Sequence, residues 1–178
     1  WPTQIWPLLQ VGLKPVFVDC DPNTLNISLA DLEGKITSKT KAISLVHLLG
    51  NPNNMDGVLR LTRKYGLGLI EDCCEALGAK FDGTHVGRFG FASSFSFFFS
   101  HHITTMEGGM VVTLESKDET VKMFRSHGWA RDFKQKETPH PLDPRFMFMN
   151  WGYNVRPTEL QAGFGIHQLR KLNEFSKN

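Results

Sequence analysis

Cysteine is sparse in this 178-residue sequence: Cys20, Cys73 and Cys74 are the only three, they form no CxxC pair, and two of them are neighbours. Such a set excludes a disulfide framework and fits a reducing compartment, so a cytoplasmic location is expected. Long apolar runs are lacking too. No stretch approaches the roughly 18 residues a membrane helix requires. Trp1 to Gln10 has neither the basic start nor the cleavage site of a signal peptide. A formal net charge of +2 leaves no electrostatic footprint for nucleic acid or a membrane surface, and neither partner is expected. Internal repeats and low-complexity tracts are missing. Asn26-Ile27-Ser28 matches a glycosylation sequon, which has no weight without secretion. One further gap matters later: no lysine occurs between Lys80 and Lys117.

What is present alternates between short apolar runs and helix-like segments. Pro15 to Asp19, Lys41 to Leu48, Leu67 to Glu71, Ser94 to Phe99 and Gly109 to Leu114 read as strands. Ser28 opens a helix with Asp31 three residues on, in the manner of a capping box. Asn54 to Tyr65 reads as a helix stopped by Gly66, and Lys117 to Ser126 as another. Asp132 to Pro144 is polar and proline-bearing, a long surface loop. Pro157 suits the first turn of a last helix, whose apolar stripe is Leu160, Phe164, Leu169, Leu172 and Phe175. Apolar strands with helical crossovers predict an α/β fold with a mostly parallel sheet flanked by helices. The chain starts without methionine and ends inside a helical pattern, so residues 1–178 are expected to be a fragment.

Asp72 directly follows the run LGLIE. Ligands of open α/β sheets bind beyond the carboxyl ends of strands, so this acid either faces a ligand or serves as a turn or cap residue. The run Ile70-Glu71-Asp72-Cys73-Cys74-Glu75-Ala76-Leu77-Gly78-Ala79 resembles a stretch of the DegT-type sugar aminotransferases, which have the aspartate aminotransferase fold and use pyridoxal phosphate (PLP). Further pieces resemble the same family in order: Gly12 to Asp19, Val46 to Gly50, Glu107-Gly108-Gly109, and Gly152 to Arg156 with Glu159 to Ala162. The resemblance implies an incomplete large domain of the fold type I PLP-dependent architecture, with an upstream phosphate-binding segment and a C-terminal small domain missing. It implies that Asp72 pairs with the pyridinium nitrogen, where a carboxylate keeps the ring protonated and electron-withdrawing. It sets Glu75 near the cofactor's 3-hydroxyl, Ser96 at its phosphate, Trp1 on its ring face and Asn154 at the phosphate of a partner subunit, so that a homodimer is expected. Trp1 as a core residue and Asn154 as a turn residue are the alternatives.

In that family a lysine five residues after the phosphate-binding serine anchors the cofactor covalently. Five residues after Ser96 stands His101, and the lysine gap spans the segment. An imidazole forms no stable imine, but it titrates near neutral pH, at roughly 6.5, and moves protons. The pattern resembles the histidine-bearing 3-dehydratases of the family. These use PLP and its aminated form, PMP, with glutamate as amino donor, to remove the C3 hydroxyl of a nucleotide-linked 4-keto-6-deoxy sugar. His101 would be the acid/base. His101-His102 as a structural or metal-binding pair is the competing reading. Adjacent side chains on an extended segment diverge, and no neighbouring ligand set completes a site, so no metal is expected. One kind of histidine-bearing dehydratase ligates an iron–sulfur cluster with four cysteines; after Cys74 this sequence has none, so no cluster is expected. The GDP-4-keto-6-deoxymannose 3-dehydratases, which lack the cluster, are the better match. A PLP-dependent nucleotide-sugar aminotransferase and a catalytically silent PLP-fold fragment remain open.

Overall fold

The computed structural model describes residues 1–113, 117–130 and 143–176. A four-stranded sheet is its centre: β1 (Ala42–Val46), β2 (Gly68–Asp72), β5 (Ala92–Ser96) and β6 (Gly109–Thr113), in the order β1-β2-β5-β6. β1, β2 and β5 run parallel, and β6 joins antiparallel to β5. Two short strands, β3 (Lys80–Phe81) and β4 (Thr84–His85), form a hairpin between β2 and β5. The helices are α1 (Trp6–Gln10), α2 (Leu29–Lys35), α3 (Met55–Tyr65), α4 (Asp118–Arg125) and α5 (Glu159–Phe175). This is the mostly parallel α/β arrangement expected. No helix among the described residues is long and apolar enough to cross a membrane.

Alternation along each strand divides the sheet into two faces. Ile43, Leu45 and Leu69 project to one face and pack with Leu32 of α2 and Met55, Val58 and Leu61 of α3, the main core. Full burial of an aliphatic side chain stabilises by about 1.5–3 kcal/mol, so this cluster anchors the β1–β2 half. Both helices start on side-chain caps. Ser28 Oγ accepts from Asp31 N–H (3.3 Å) and Asn54 Oδ1 from Gly57 N–H (3.1 Å). The Ser28 capping box is only half formed, because the Asp31 carboxylate accepts instead from Asp19 N–H (2.7 Å) and pairs with Lys35 (2.7 Å). α3 stops at Gly66, which takes the left-handed conformation (φ 64°) that glycine adopts without strain.

Four expectations shift. Pro15 to Asp19 is extended but forms no strand. Only Cys20 pairs, as an isolated bridge with Ile27, and Val16 and Phe17 are exposed. A strand needs a neighbouring strand for its backbone groups; in this run only the backbone groups of Asp19 find partners among the described residues, its N–H on Asp31 Oδ2 (2.7 Å) and its carbonyl accepting from Ser28 N–H (2.9 Å). β5 begins two residues earlier than Ser94 and ends at Ser96, because its register is set by β2: Ile70 opposite Ala92 and Asp72 opposite Ser94. The chain then turns, so His101 and His102 do not lie on an extended segment. Pro157 precedes α5 rather than starting it. Thr158 is the cap, and its reciprocal box with Gln161 fixes the helix start at Glu159, two residues after Pro157. The stripe Leu160, Phe164, Leu169 and Phe175 on α5 is exposed. Leu114 and most of the Asp132 to Pro144 loop lie outside the described residues.

Gly90 marks how closely β5 is fed from β2. A Cβ there would sit 2.5 Å from the Leu69 carbonyl oxygen, a backbone atom that cannot swing aside. Gly90→Ala is expected to destabilise the full-length protein by about 1–3 kcal/mol, as overpacking does. Urea unfolding checks this, and an unchanged midpoint would contradict the close approach.

Candidate active site

Glu71 and Asp72 are consecutive residues of β2 and point to opposite faces. On the core face, Glu71 and His47 are both fully buried. Glu71 Oε2 accepts from His47 Nε2 (3.1 Å) and Gly87 N–H (2.8 Å), and Oε1 accepts from Phe89 N–H (2.8 Å) and Gly90 N–H (2.6 Å). His47 Nδ1 accepts from Asn53 N–H at 3.1 Å, which puts the ring proton on Nε2, facing Glu71. Asn53, also buried, donates to the Val46 carbonyl (2.6 Å) and accepts from Ile27 N–H (3.1 Å). Burial pushes the Glu71 carboxyl up, but the imidazole and the three backbone N–H groups outweigh it and hold the group below the usual carboxylate range. Cys73 lies beside them, and burial together with the Glu71 and Asp72 charges pushes its thiol far up.

His47, Glu71 and Cys73 have donor atoms within 4.8 Å of one another, a separation a metal could span. The hydrogen-bond pattern argues otherwise. The imidazole nitrogen facing Glu71 carries a proton, the carboxylate is saturated by four donors, and the thiol is held protonated. The group is a polar clamp tying the ends of β1 and β2 to the loop that feeds β5.

On the opposite face, Asp72, Ser94 and Ser96 stand at the carboxyl ends of β2 and β5. Asp72 Oδ1 accepts from Cys74 N–H (3.0 Å) and lies 3.5 Å from Ser94 Oγ, which leaves Oδ2 without a backbone or hydroxyl donor among the described residues. Burial, then the Asp72 carboxylate, pushes the Cys74 thiol up to about 12. Ser96 Oγ accepts from Phe98 N–H (3.2 Å) and makes no other hydrogen bond among the described residues, so its proton is available. His101 follows in a turn closed by its own N–H on the Phe98 carbonyl (3.1 Å). It is half-buried, and its ring has no hydrogen-bond partner among the described residues. Glu75 Oε2 accepts from Leu49 N–H at 2.8 Å and so holds the turn after β1.

Asp72 and Ser96 thus end the neighbouring strands β2 and β5, and Glu75 and His101 lie on the segments that follow those strand ends. Trp1 and Asn154 are not joined to them by any hydrogen bond or ring contact among the described residues. Trp1 is 89% exposed, and Asn154 forms a bridge with Ser126. The sequence reading missed the His47–Glu71–Asn53 clamp. A signal existed: Glu71 falls two residues after Leu69, on the core side of an apolar strand, where an unpaired carboxylate is not tolerated.

The family model described as the DegT/DnrJ/EryC1/StrS aminotransferase family matches residues 1–178. The chain belongs to this family. Among DegT/DnrJ/EryC1/StrS relatives, a GDP-4-keto-6-deoxy-D-mannose 3-dehydratase of Yersinia pseudotuberculosis is 43% identical over 98% of this chain and 46% of its own length. A GDP-perosamine synthase of Escherichia coli O157:H7 is 42% identical over 92% of this chain and 42% of its own length. A crystal structure of GDP-4-keto-6-deoxymannose-3-dehydratase with a trapped PLP–glutamate geminal diamine superimposes with a TM-score of 0.91 at 43% identity, covering 97% of this chain and 47% of that one. The chain spans about half the length of the relatives it matches. The donor set suits the cofactor found in that structure: a carboxylate for a ring nitrogen, and a hydroxyl that donates to no described residue for a phosphate.

The clamp makes acid stability a direct readout. Because the Glu71 carboxyl is held below its ordinary 4.5 in the folded protein, its contribution is complete above that pH and is lost as pH falls through the folded value. Glu71→Gln is expected to cost about 3 kcal/mol or more at pH 7, since an amide puts a donor against backbone donors. It should also flatten the acid limb of stability measured by urea unfolding from pH 7 down to 3. Parallel wild-type and variant curves would contradict the clamp.

Proposed function

We propose that the full-length protein is a PLP/PMP-dependent 3-dehydratase that removes the C3 hydroxyl of a nucleotide-linked 4-keto-6-deoxyhexose, with a GDP-linked sugar as the favoured substrate and glutamate as amino donor. One observation carries the reading: a histidine, not a lysine, stands five residues after Ser96, and no lysine lies between Lys80 and Lys117. Overall identity does not choose between dehydratase and aminotransferase relatives, which match at 43% and 42%. The residue in the anchoring position does. An aminotransferase needs a primary amine there to hold and release the cofactor, and an imidazole does not serve.

PLP, when bound, supplies the electron sink that allows a poor leaving group to depart next to a former carbonyl. The chain supplies the rest. Asp72 offers Oδ2 to the ring nitrogen and keeps a proton there. The Ser96 hydroxyl donates to the phosphate. Glu75, already fixed through Leu49 N–H, presents its other oxygen towards the ring hydroxyl. Trp1 stacks on the ring face, and Asn154 serves the phosphate of a second copy in a homodimer. The His101 imidazole, whose ring nitrogens have no hydrogen-bond partner among the described residues, takes up a proton and delivers it to the departing oxygen on the sugar's C3. With no amine to tether it, the cofactor is held by these noncovalent contacts. Cytoplasmic residence fits the three free cysteines.

The test uses the full-length protein with PLP, glutamate and GDP-4-keto-6-deoxymannose. Ammonia and a 3-deoxy sugar are the expected products, and an aminated sugar would refute the proposal. His101→Asn should lower turnover about 10²–10⁴-fold, the usual contribution of a general acid/base, while PLP binding persists.

A further inference from the structure

The loop from Phe97 to Gly108 holds its own base. Phe97 N–H donates to the Gly108 carbonyl (2.9 Å), and the Phe97 carbonyl accepts from Thr105 N–H (2.8 Å) and Thr104 Oγ1 (3.2 Å). Thr104 Oγ1 accepts from Met106 N–H (2.9 Å), and Thr105 Oγ1 donates to the Glu107 carbonyl (2.8 Å). Ile103 is buried. This closed base meets α5 along a single stripe at positions i, i+4 and i+7, which share one side of a helix. Gln161 Nε2 donates to the Glu107 carbonyl at 2.8 Å. A Cβ at Gly165 would lie 3.1 Å from Thr105 Cγ2, so helix and loop are in close contact there. Gln168 Oε1 accepts from Thr104 N–H at 3.4 Å. Gln161 works at both ends, because its Oε1 also accepts from Thr158 N–H (2.7 Å) and Thr158 Oγ1 (3.1 Å) in the helix cap.

We propose that Gln161 is a positioning residue for His101: it ties the base of the histidine loop to the capped start of α5 and thereby fixes where the imidazole stands. The proposal rests on the reading of His101 as the acid/base. The His101 ring has no hydrogen-bond partner among the described residues, so there its placement depends on its backbone. That backbone is steadied at one end by Ser96 and β5, and at the other by the contacts to α5. A displacement of about 1 Å at a reacting group can cost on the order of 10²-fold in rate.

Gln161→Glu separates the two jobs of the side chain. A glutamate keeps the acceptor that completes the capping box, but it has no N–H for the Glu107 carbonyl and sets a charge against it. In the full-length protein, Gln161→Glu is expected to keep a near wild-type melting temperature and an unchanged KM for the nucleotide sugar. Its kcat should fall about tenfold or more, and hydrogen exchange across residues 97–108 should quicken in the cofactor-free protein. Gln161→Ala, which loses both bonds, should lower the melting temperature as well. Wild-type kcat and wild-type exchange in Gln161→Glu would overturn the proposal. So would a loss of kcat that only tracks a loss of fold. A wild-type protein that dehydrates nothing would sink the reading of His101 instead; the exchange comparison would then decide alone whether Gln161 holds the loop.

Discussion

Four hydrogen bonds converge on the carboxylate of Glu71, one from His47 and three from the backbone of the loop that leads into β5. A carboxylate stripped of water is tolerable only when its acceptor sites are filled, and filling these forces distant segments together. His47 comes from the end of β1, and Asn53 behind it reaches back to Val46 and across to Ile27. Gly87, Phe89 and Gly90 must approach closely enough for their N–H groups to point at one side chain. The clamp thereby sets how β1, β2 and β5 end relative to one another.

The other face of the sheet inherits that alignment. Because side chains alternate along β2, fixing Glu71 below fixes Asp72 above. The parallel register then brings Ser94 opposite Asp72 and Ser96 two residues on. Asp72 Oδ1 is committed to the turn, the Ser96 hydroxyl donates to no described residue, and His101 follows in a tight turn. A polar core on one side and a prepared set of donors and acceptors on the other are two consequences of the same strand. These side chains stand at the carboxyl ends of the strands, where open α/β sheets place their ligands.

Much of this was legible in the sequence, for identifiable reasons. β1, β2, β6, α3 and α4 are local features, apolar runs and amphipathic stretches whose ends move by only a residue or two. Asp72 and Ser96 could be proposed as site residues because motif spacing carries over when strands keep their register, and His101 because of the lysine gap and its five-residue spacing from Ser96. The failures are non-local. Pro15 to Asp19 has strand composition, but composition does not say whether a neighbour exists to pair with. The exact end of β5 was decided by β2, not by the phenylalanine run. The His47–Glu71 contact joins residues 24 apart in sequence, and nothing near either one announces the other. The link from Gln161 to Glu107, across 54 residues, was hidden in the same way.

The proposed dehydratase holds its cofactor without a covalent tether and uses an imidazole where the tether would be. Borohydride reduction of the PLP-loaded, full-length wild-type protein, followed by intact-mass and peptide analysis, tests this most directly. A protein of unmodified mass is expected, with the cofactor released on dialysis before and after reduction. A pyridoxyl group fixed to any lysine of the protein would contradict it.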